Sequence, residues 1–307
     1  MKIAIIGTGG VGGYFGGKIA KAGFDVTFLA RAQNLKIMKS NGLTVKSILG
    51  DFNVTPVKVT DNIQDIGESD LIILAVKAWQ IKEIAAELKS IVGENSMILP
   101  LQNGVLAVDE LREFFGEKNI ISGLCQIFSK IESPGVVNHF GVIPKIIFGE
   151  VVNSTSGRIQ KIKELFDSSG ISSEIAVDIT AALWKKFIPI CVSGLLAVSK
   201  TSYGELRELP ETRQMMVDLL NEIYWLSQKI GIQIEPDFVG KAVAFINTFP
   251  YETTSSLTRD VWEGKPSEIE YQNGTVVRLG NQYGIDTPIN RFVYNCILPM
   301  ELKARRR

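Results

Sequence analysis

Apolar positions follow two rhythms along this chain. Up to about residue 177, short continuous apolar runs alternate with stretches of helical period. After Asp178 only the helical period remains. The runs Lys2–Ile6, Val26–Ala30, Val54–Val59, Ser69–Val76, Met97–Leu101 and Ile120–Gln126 predict strands, the earliest of them too uniformly apolar to be anything but buried on both faces. Between them the pattern predicts helices after Gly12, over Leu35–Gly42 and over Ile81–Val92. Val136–Phe140 and Lys145–Gly149 read as a hairpin around a Gly and Pro turn. Arg158–Ser169 reads as a helix closed by Gly170, with a β-like run on to Val177. Helices are then expected over Asp178–Lys200, Leu206–Gly231, Pro236–Asn247, Ser267–Gly284 and Pro288–Lys303, with Ser255, Ser256 and Asp260 in a polar loop. Alternating elements followed by helices alone predict two domains: an α/β domain with a Rossmann-type parallel sheet over 1–174, and an all-helical domain over 175–307.

The first unit carries a distinct chemistry. Gly7-Thr8-Gly9-Gly10-Val11-Gly12 follows the first strand and opens the first helix, the G-x-G-x-x-G spacing of a dinucleotide loop. Gly7 suits a tight turn, Gly9 lets backbone approach a pyrophosphate, and Gly12 lets helix pack closely on strand, with the helix N-terminus facing the anion. Where an NAD-binding chain usually ends its second strand with Asp or Glu, this one has Arg31. A guanidinium there favours the 2′-phosphate of NADP; the alternative is a solvated side chain.

Further candidates stand where strands end. Lys77 leaves the strand Ser69–Val76, at the sheet edge where ligands lie, and suits a coenzyme phosphate or else a surface helix start. Asn103, in Gln102-Asn103-Gly104, leaves the next strand, where its amide can meet coenzyme and substrate or simply make a turn. In the helical half, Lys186 lies in an otherwise apolar stretch and can serve as a proton donor or acceptor, with Glu268 able to hold it, while the hydroxyl of Ser256 can take a substrate group. On spacing alone these are equally ordinary helix residues.

Composition narrows the classes. Lys plus Arg and Asp plus Glu balance at 33 each, so no global field points to nucleic acid or to a membrane surface. No apolar run reaches bilayer-spanning length and Met1 leads straight into a strand, which predicts a cytoplasmic protein with no membrane partner. Cys125, Cys191 and Cys296 lack metal-ligand spacing, so no metal is expected. His139 reads as structural, Arg305, Arg306 and Arg307 as a solvated tail, and the apolar helical half suits a homodimer.

In order and spacing, these segments together resemble the ketopantoate reductase (2-dehydropantoate 2-reductase) family through nearly the whole chain. They are Gly7–Gly12, Arg31, Val76-Lys77-Ala78-Trp79-Gln80, Gln102-Asn103-Gly104, Pro134-Gly135-Val136-Val137, Leu183-Trp184-Lys185-Lys186, Ser255-Ser256-Leu257 with Asp260, and Glu268-Ile269-Glu270-Tyr271 with Asn273-Gly274. The resemblance implies a C-terminal domain of the 6-phosphogluconate dehydrogenase type. It implies reduction of a small 2-oxo acid, ketopantoate, to pantoate by NADPH, a step toward pantothenate and coenzyme A. Lys186 is then the general acid and Glu268 orients it with the substrate. Asn103 bridges coenzyme and substrate, Ser256 meets the substrate carboxylate, and Arg31 with Lys77 holds the 2′-phosphate side. One departure stands out: the family commonly places asparagines one and two turns after the catalytic lysine, where this chain has Ile190 and Gly194 with Pro189 nearby. Ser193 and Ser199 are the candidates to replace them. The departure leaves open a paralogue acting on another, less polar 2-oxo acid, or an NADPH-binding sensor without turnover.

Overall fold

The computed structural model describes residues 1–152, 154 and 156–306. It divides into two compact units, one of Met1–Gln102 with Leu106–Ile179, the other of Asn103–Val105 with Thr180–Arg307.

The first unit opens with β1 (Lys2–Ile6), α1 (Gly10–Lys21), β2 (Asp25–Leu29), α2 (Ala32–Asn41), β3 (Leu43–Ser47), β4 (Phe52–Val54) and β5 (Lys58–Thr60). It continues with β6 (Leu71–Leu74), α3 (Ile81–Leu88), β7 (Met97–Pro100), α4 (Ala107–Arg112), β8 (Ile121–Ser133), β9 (Val136–Glu150), α5 (Gly157–Ser168) and β10 (Ser172–Ile175). Five of the strands form one parallel sheet in the order β5-β2-β1-β6-β7. Alternate residues of its central strands feed two different cores. Ile3, Ile5, Val26, Phe28, Leu71 and Ile73 pack on one face, and Ala4, Ile6, Leu29, Ile72 and Leu74 on the other. Both faces are covered, so β6 and, after Lys2, β1 are apolar at every position rather than at every second one. The chain goes from β1 to one side and later returns to the other, which puts the topological switch point between β1 and β6, the place where such sheets bind ligands.

A second sheet, ordered β10-β9-β3-β4 with β8 also on β9, departs from the sequence pattern. The expected hairpin between Val136–Phe140 and Lys145–Gly149 does not exist. Both segments lie in β9, and its hairpin partner is β8, turning at Pro134-Gly135 with Gly135 at φ +74°. Phe128 pairs with Phe140 and Gln126 with Lys145, so the residues between Phe140 and Lys145 loop out opposite Ile127. Gly141 and Pro144 mark that bulge rather than a turn. Val54–Val59 is likewise not one strand: Pro56, which has no N–H for a ladder, separates β4 in the second sheet from β5 in the first.

The second unit, entered along α6 (Ile179–Ile190), is helical: α7 (Val192–Ser199), α8 (Tyr203–Glu208), α9 (Pro210–Ile230), α10 (Phe238–Asn247), α11 (Ser256–Trp262), α12 (Asn273–Tyr283) and α13 (Pro288–Arg305). Its core gathers Phe187, Ile188, Leu195, Leu196, Leu219, Ile223, Val276, Val293 and Ile297. Three expected continuous helices are broken. Pro189 removes the N–H that would bond the carbonyl one turn back, and the run 178–200 splits at Cys191. Leu209 ends α8 in extended backbone before Pro210 starts α9. A 3₁₀ turn over Ile269–Tyr271 stands apart from α12 because Gln272 leaves helical conformation (φ −112°, ψ −103°). The polar loop at Ser255 to Asp260 is in fact the start of α11, with the Ser255 hydroxyl capping Thr258 N–H at 3.0 Å. Ile179–Ser199 proves long and apolar enough to cross a membrane by length and composition, contrary to expectation, but 61% of that stretch is buried inside the protein. Arg305 is not part of a solvated tail either, since it is paired inside α13 with Glu301; Arg307 lies outside the described residues.

Candidate functional site

The glycine loop gives each of its glycines a separate reason. Gly7 has φ +99°, and a Cβ there would meet Val76 N at 2.8 Å, across the switch point. At Gly12 a Cβ would stand 2.1 Å from the Gly7 carbonyl oxygen, with Ala75 at 3.0 Å and Ile5 at 3.1 Å also inside ordinary contact, so α1 packs on the loop backbone with no room for a side chain. Gly9 faces open space, with nothing within 4 Å of its missing Cβ. It is also the N-cap of α1, whose first N–H groups have no side-chain cap and no acidic neighbour in the first turn. Those are the conditions a pyrophosphate needs: free donors, the positive end of the helix dipole, and room for backbone contact. Gly10 is backed by the Ser129 carbonyl, 2.7 Å from an ideal Cβ.

Thr8 turns its hydroxyl away from the loop, donating to Leu29 O at 2.9 Å. Asn34 Nδ2 donates to Thr8 O at 2.9 Å while its Oδ1 accepts from Gly135 N at 2.7 Å, so one amide ties the glycine loop to the β8–β9 turn. Sequence reasoning passed over Asn34, which reads as one more polar residue of α2. Three residues before it, Arg31 is exposed, stands two residues past the end of β2 and caps α2 with its backbone only; Ala32 beside it adopts φ +50°. The Lys77 ammonium lies 5.7 Å from the Trp79 ring centre, and its backbone N–H donates to Gln80 Oε1. Gln102 Nε2 donates to Val76 O at 3.1 Å, pinning the end of β7 to the end of β6.

In the helical unit three of the candidates meet. Lys186 Nζ donates to Asn103 Oδ1 at 2.8 Å, and Asn103 Nδ2 donates to Glu268 Oε2 at 3.3 Å. The polarity of that chain is fixed by its ends. A carboxylate only accepts and an ammonium only donates, so the amide must turn its NH₂ to Glu268 and its oxygen to Lys186. Glu268 is 5% exposed and stands at the entry of the 3₁₀ turn. Gly104, at φ +100°, allows the Asn103 loop to lie close on Tyr271, whose carbonyl would be 2.9 Å from a Cβ. Asn103 was legible as a strand-end amide; its place between Lys186 and Glu268, which sequence reading paired directly, was not.

Ser256 stands apart from these three. It is exposed at the first position of α11 and makes no hydrogen bond to Lys186, Asn103 or Glu268. Of the two serines, Ser199 bonds back to Leu195 O at 2.8 Å, and Ser193 is 3% exposed with its backbone carbonyl taken by the Thr258 hydroxyl. Ile190 packs against the helical core. A Cβ on Gly194 would lie 2.3 Å from Asn273 Oδ1 and 2.6 Å from Val293, so a side chain at 194 has no room. Asn273 holds that space, donating through Nδ2 to Cys191 O at 3.1 Å and to Asn290 Oδ1 at 2.9 Å. His139 is a sheet residue, with Nε2 donating to Val142 O and Nδ1 accepting from Ser47 Oγ, both at 2.8 Å.

Comparison with known proteins joins the two halves. The family model described as ketopantoate reductase PanE/ApbA matches residues 3–153, and its C-terminal counterpart matches 178–301. The chain belongs to the ketopantoate reductase family. Within it, this reductase is 30% identical to a 2-dehydropantoate 2-reductase of Nostoc, over 96% of the chain and 93% of that relative. It is 27% identical to an uncharacterized oxidoreductase, YkpB, of Bacillus subtilis, over 96% and 97%. A PanE/ApbA family ketopantoate reductase structure from Ralstonia eutropha superposes with a TM-score of 0.91 at 28% identity, covering 99% of this chain and all of that one. The reductase is therefore an oxidoreductase with a parallel-sheet N-terminal domain and a helical C-terminal domain, acting on a small molecule. Family and fold together imply a nicotinamide coenzyme, and the open glycine loop, the uncapped helix end and the exposed Arg31 fit one.

Proposed function

We propose that this reductase converts ketopantoate to pantoate with NADPH in the cytoplasm, a step toward pantothenate and coenzyme A. The observation that carries the reading is the chain Lys186–Asn103–Glu268. NADPH, when bound, supplies the hydride that reaches the ketone carbon. As that carbon is reduced, negative charge grows on the carbonyl oxygen; Lys186 stabilises it and gives it a proton. Asn103 holds the ammonium by one hydrogen bond, and Glu268 fixes which way the amide faces, so the acid is oriented before substrate arrives. The α1 N-terminus and Gly9 take the pyrophosphate. Arg31 takes the 2′-phosphate as a guanidinium fork, with Lys77 adding charge on the same coenzyme. Ser256 receives the carboxylate end of the substrate.

A second reading rests on Ile190 and Gly194. An apolar side chain packed on the core and a position already filled by Asn273 offer no amides to a hydroxyl-bearing substrate, which favours a less polar 2-oxo acid reduced by the same lysine. Oxidation of NADPH by the purified protein, with ketopantoate beside a panel of other 2-oxo acids and NADH controls, tests both. Selective turnover of ketopantoate supports the first reading, and turnover of another acid alone supports the second. NADPH binding with no turnover across the panel leaves a coenzyme-binding sensor.

A further inference from the structure

Glu268 sits on an irregular backbone. It precedes a single 3₁₀ turn and a break at Gln272, so no helical ladder on its N-terminal side holds it. The residue before it is held from α13. Glu301, 4% exposed, accepts the Ser267 N–H at 2.8 Å and the Ser267 hydroxyl at 2.6 Å on the same oxygen, Oε2. Arg305 completes the clasp: its Nε lies 2.6 Å from Glu301 Oε1, and its Nη2 donates to the Ser267 carbonyl at 3.4 Å. The backbone donor, backbone acceptor and hydroxyl of the residue before Glu268 are thus all taken by one pair of side chains one turn apart on the last helix. A buried carboxylate is costly to keep unless it is paired; here Ser267 supplies both hydrogen bonds to Oε2, and Oε1, which accepts no hydrogen bond, has only the Arg305 charge beside it.

We propose that Glu301 and Arg305 are positioning residues for Glu268. Their grip on Ser267 sets where the Glu268 carboxylate stands, and through Asn103 it sets the aim of Lys186. This inference rests on the reading of Lys186–Asn103–Glu268 as the reacting chain. The test uses the full-length protein with Glu301→Ala, Glu301→Gln and Ser267→Ala, each alone and in a Glu268→Gln background. It measures turnover with NADPH and whichever 2-oxo acid the unmodified protein reduces, together with amide hydrogen exchange of the segment 266–273.

Glu301→Ala is expected to lower kcat by about tenfold or more, since small misplacements of a reacting group are costly, and to leave KM for NADPH unchanged. Glu301→Gln, which keeps an accepting oxygen for Ser267, restores most of that loss, and Ser267→Ala falls between. In the Glu268→Gln background the same changes cost less than about twofold, the mark of residues acting through one another. Exchange quickens in 266–273 and not in the rest of the helical unit. The proposal is overturned if Glu301→Ala keeps kcat within about twofold, if its full loss persists in the Glu268→Gln background, or if exchange rises throughout the unit. Should Glu301→Ala not fold, Ser267→Ala carries the same comparison. If the unmodified protein reduces no 2-oxo acid, the reaction reading fails by itself, and the exchange of 266–273 alone decides whether the clasp holds that segment.

Discussion

Two glycines three residues apart, Gly9 and Gly12, should respond to the same substitution in opposite ways. Gly12→Ala puts a methyl group 2.1 Å from the Gly7 carbonyl oxygen, well inside contact distance, with Ala75 and Ile5 closing the other side. Backbone and not a flexible side chain must yield. Overpacking costs about 1–3 kcal/mol, and a backbone obstacle places this site near the top of that range. Alanine in place of glycine in a helix returns roughly 0.5–1 kcal/mol. A net loss of about 2 kcal/mol corresponds to a fall in Tm of roughly 4–8 °C for a unit of this size. Gly9→Ala meets nothing within 4 Å and sits at φ −86°, where alanine is comfortable. Its cost is the poorer N-cap alone, about 0.5 kcal/mol or 1–2 °C. The methyl group occupies the approach to the helix N-terminus, however, so NADPH affinity should drop about tenfold or more. Thermal unfolding of both variants and NADPH titration by nicotinamide fluorescence read the two effects separately. If Gly9→Ala binds NADPH as tightly as the unmodified protein, the open space before α1 is not where the coenzyme lies, and the assignment of this loop falls.

The other expectations concern single side chains. Lys186→Ala should lower kcat by about 10²–10⁴-fold with NADPH affinity intact, measured by steady-state rates beside direct titration; undiminished turnover removes Lys186 as the acid. Arg31→Ala should weaken NADPH by about 10–100-fold, the worth of roughly one charge-assisted bond because the exposed fork is screened by solvent, and leave NADH unchanged, so the ratio of the two dissociation constants is the readout. The Lys185 ammonium, 2.6 Å away, holds the Glu235 carboxyl down at about 2, against 4.5 for a free glutamate. Because the folded value is the lower one, the stabilisation is present above about pH 4.5 and disappears as pH falls toward 2; Glu235→Gln should flatten that part of the stability profile. Burial raises the Cys191 thiol well above its ordinary range and Cys125 is buried too, whereas Cys296 is exposed. A thiol reagent followed by peptide mapping should therefore label Cys296 in the native protein and the other two only after unfolding.

The parallel sheet was legible because burial on both faces writes itself into composition: Lys2–Ile6 and Leu71–Leu74 cannot be read as half-exposed strands. The second sheet was not. Leu43–Ser47 is short and mixed, and β9 hides a bulge whose Gly141 and Pro144 carry the residue types of a hairpin turn. Helix breaks were equally obscure where no glycine marks them, as at Gln272, which leaves helical conformation with no local residue type to announce it. Among the site candidates, Gly7, Gly9 and Gly12 were legible because glycine has few other uses at that spacing. Lys186 and Glu268 were picked out by resemblance to a family, since spacing gives no hint that an amide from residue 103 stands between them. Asn34, Glu301 and Arg305 left no trace in the sequence, because each acts by a hydrogen bond to backbone, which any polar residue in that place could seem to make.

Asn103–Val105 belongs to the helical unit although the chain on both sides of it belongs to the other. The two halves are consequently not exchangeable parts. A gene fusion joined once, near residue 179, would take the lysine and the glutamate from one parent and the amide between them from the other. Expression of residues 180–307 alone would remove Val105 from the helical core as well as Asn103 from its lysine. Any change to the helical unit that touches this loop must therefore be made in three residues encoded inside the first unit.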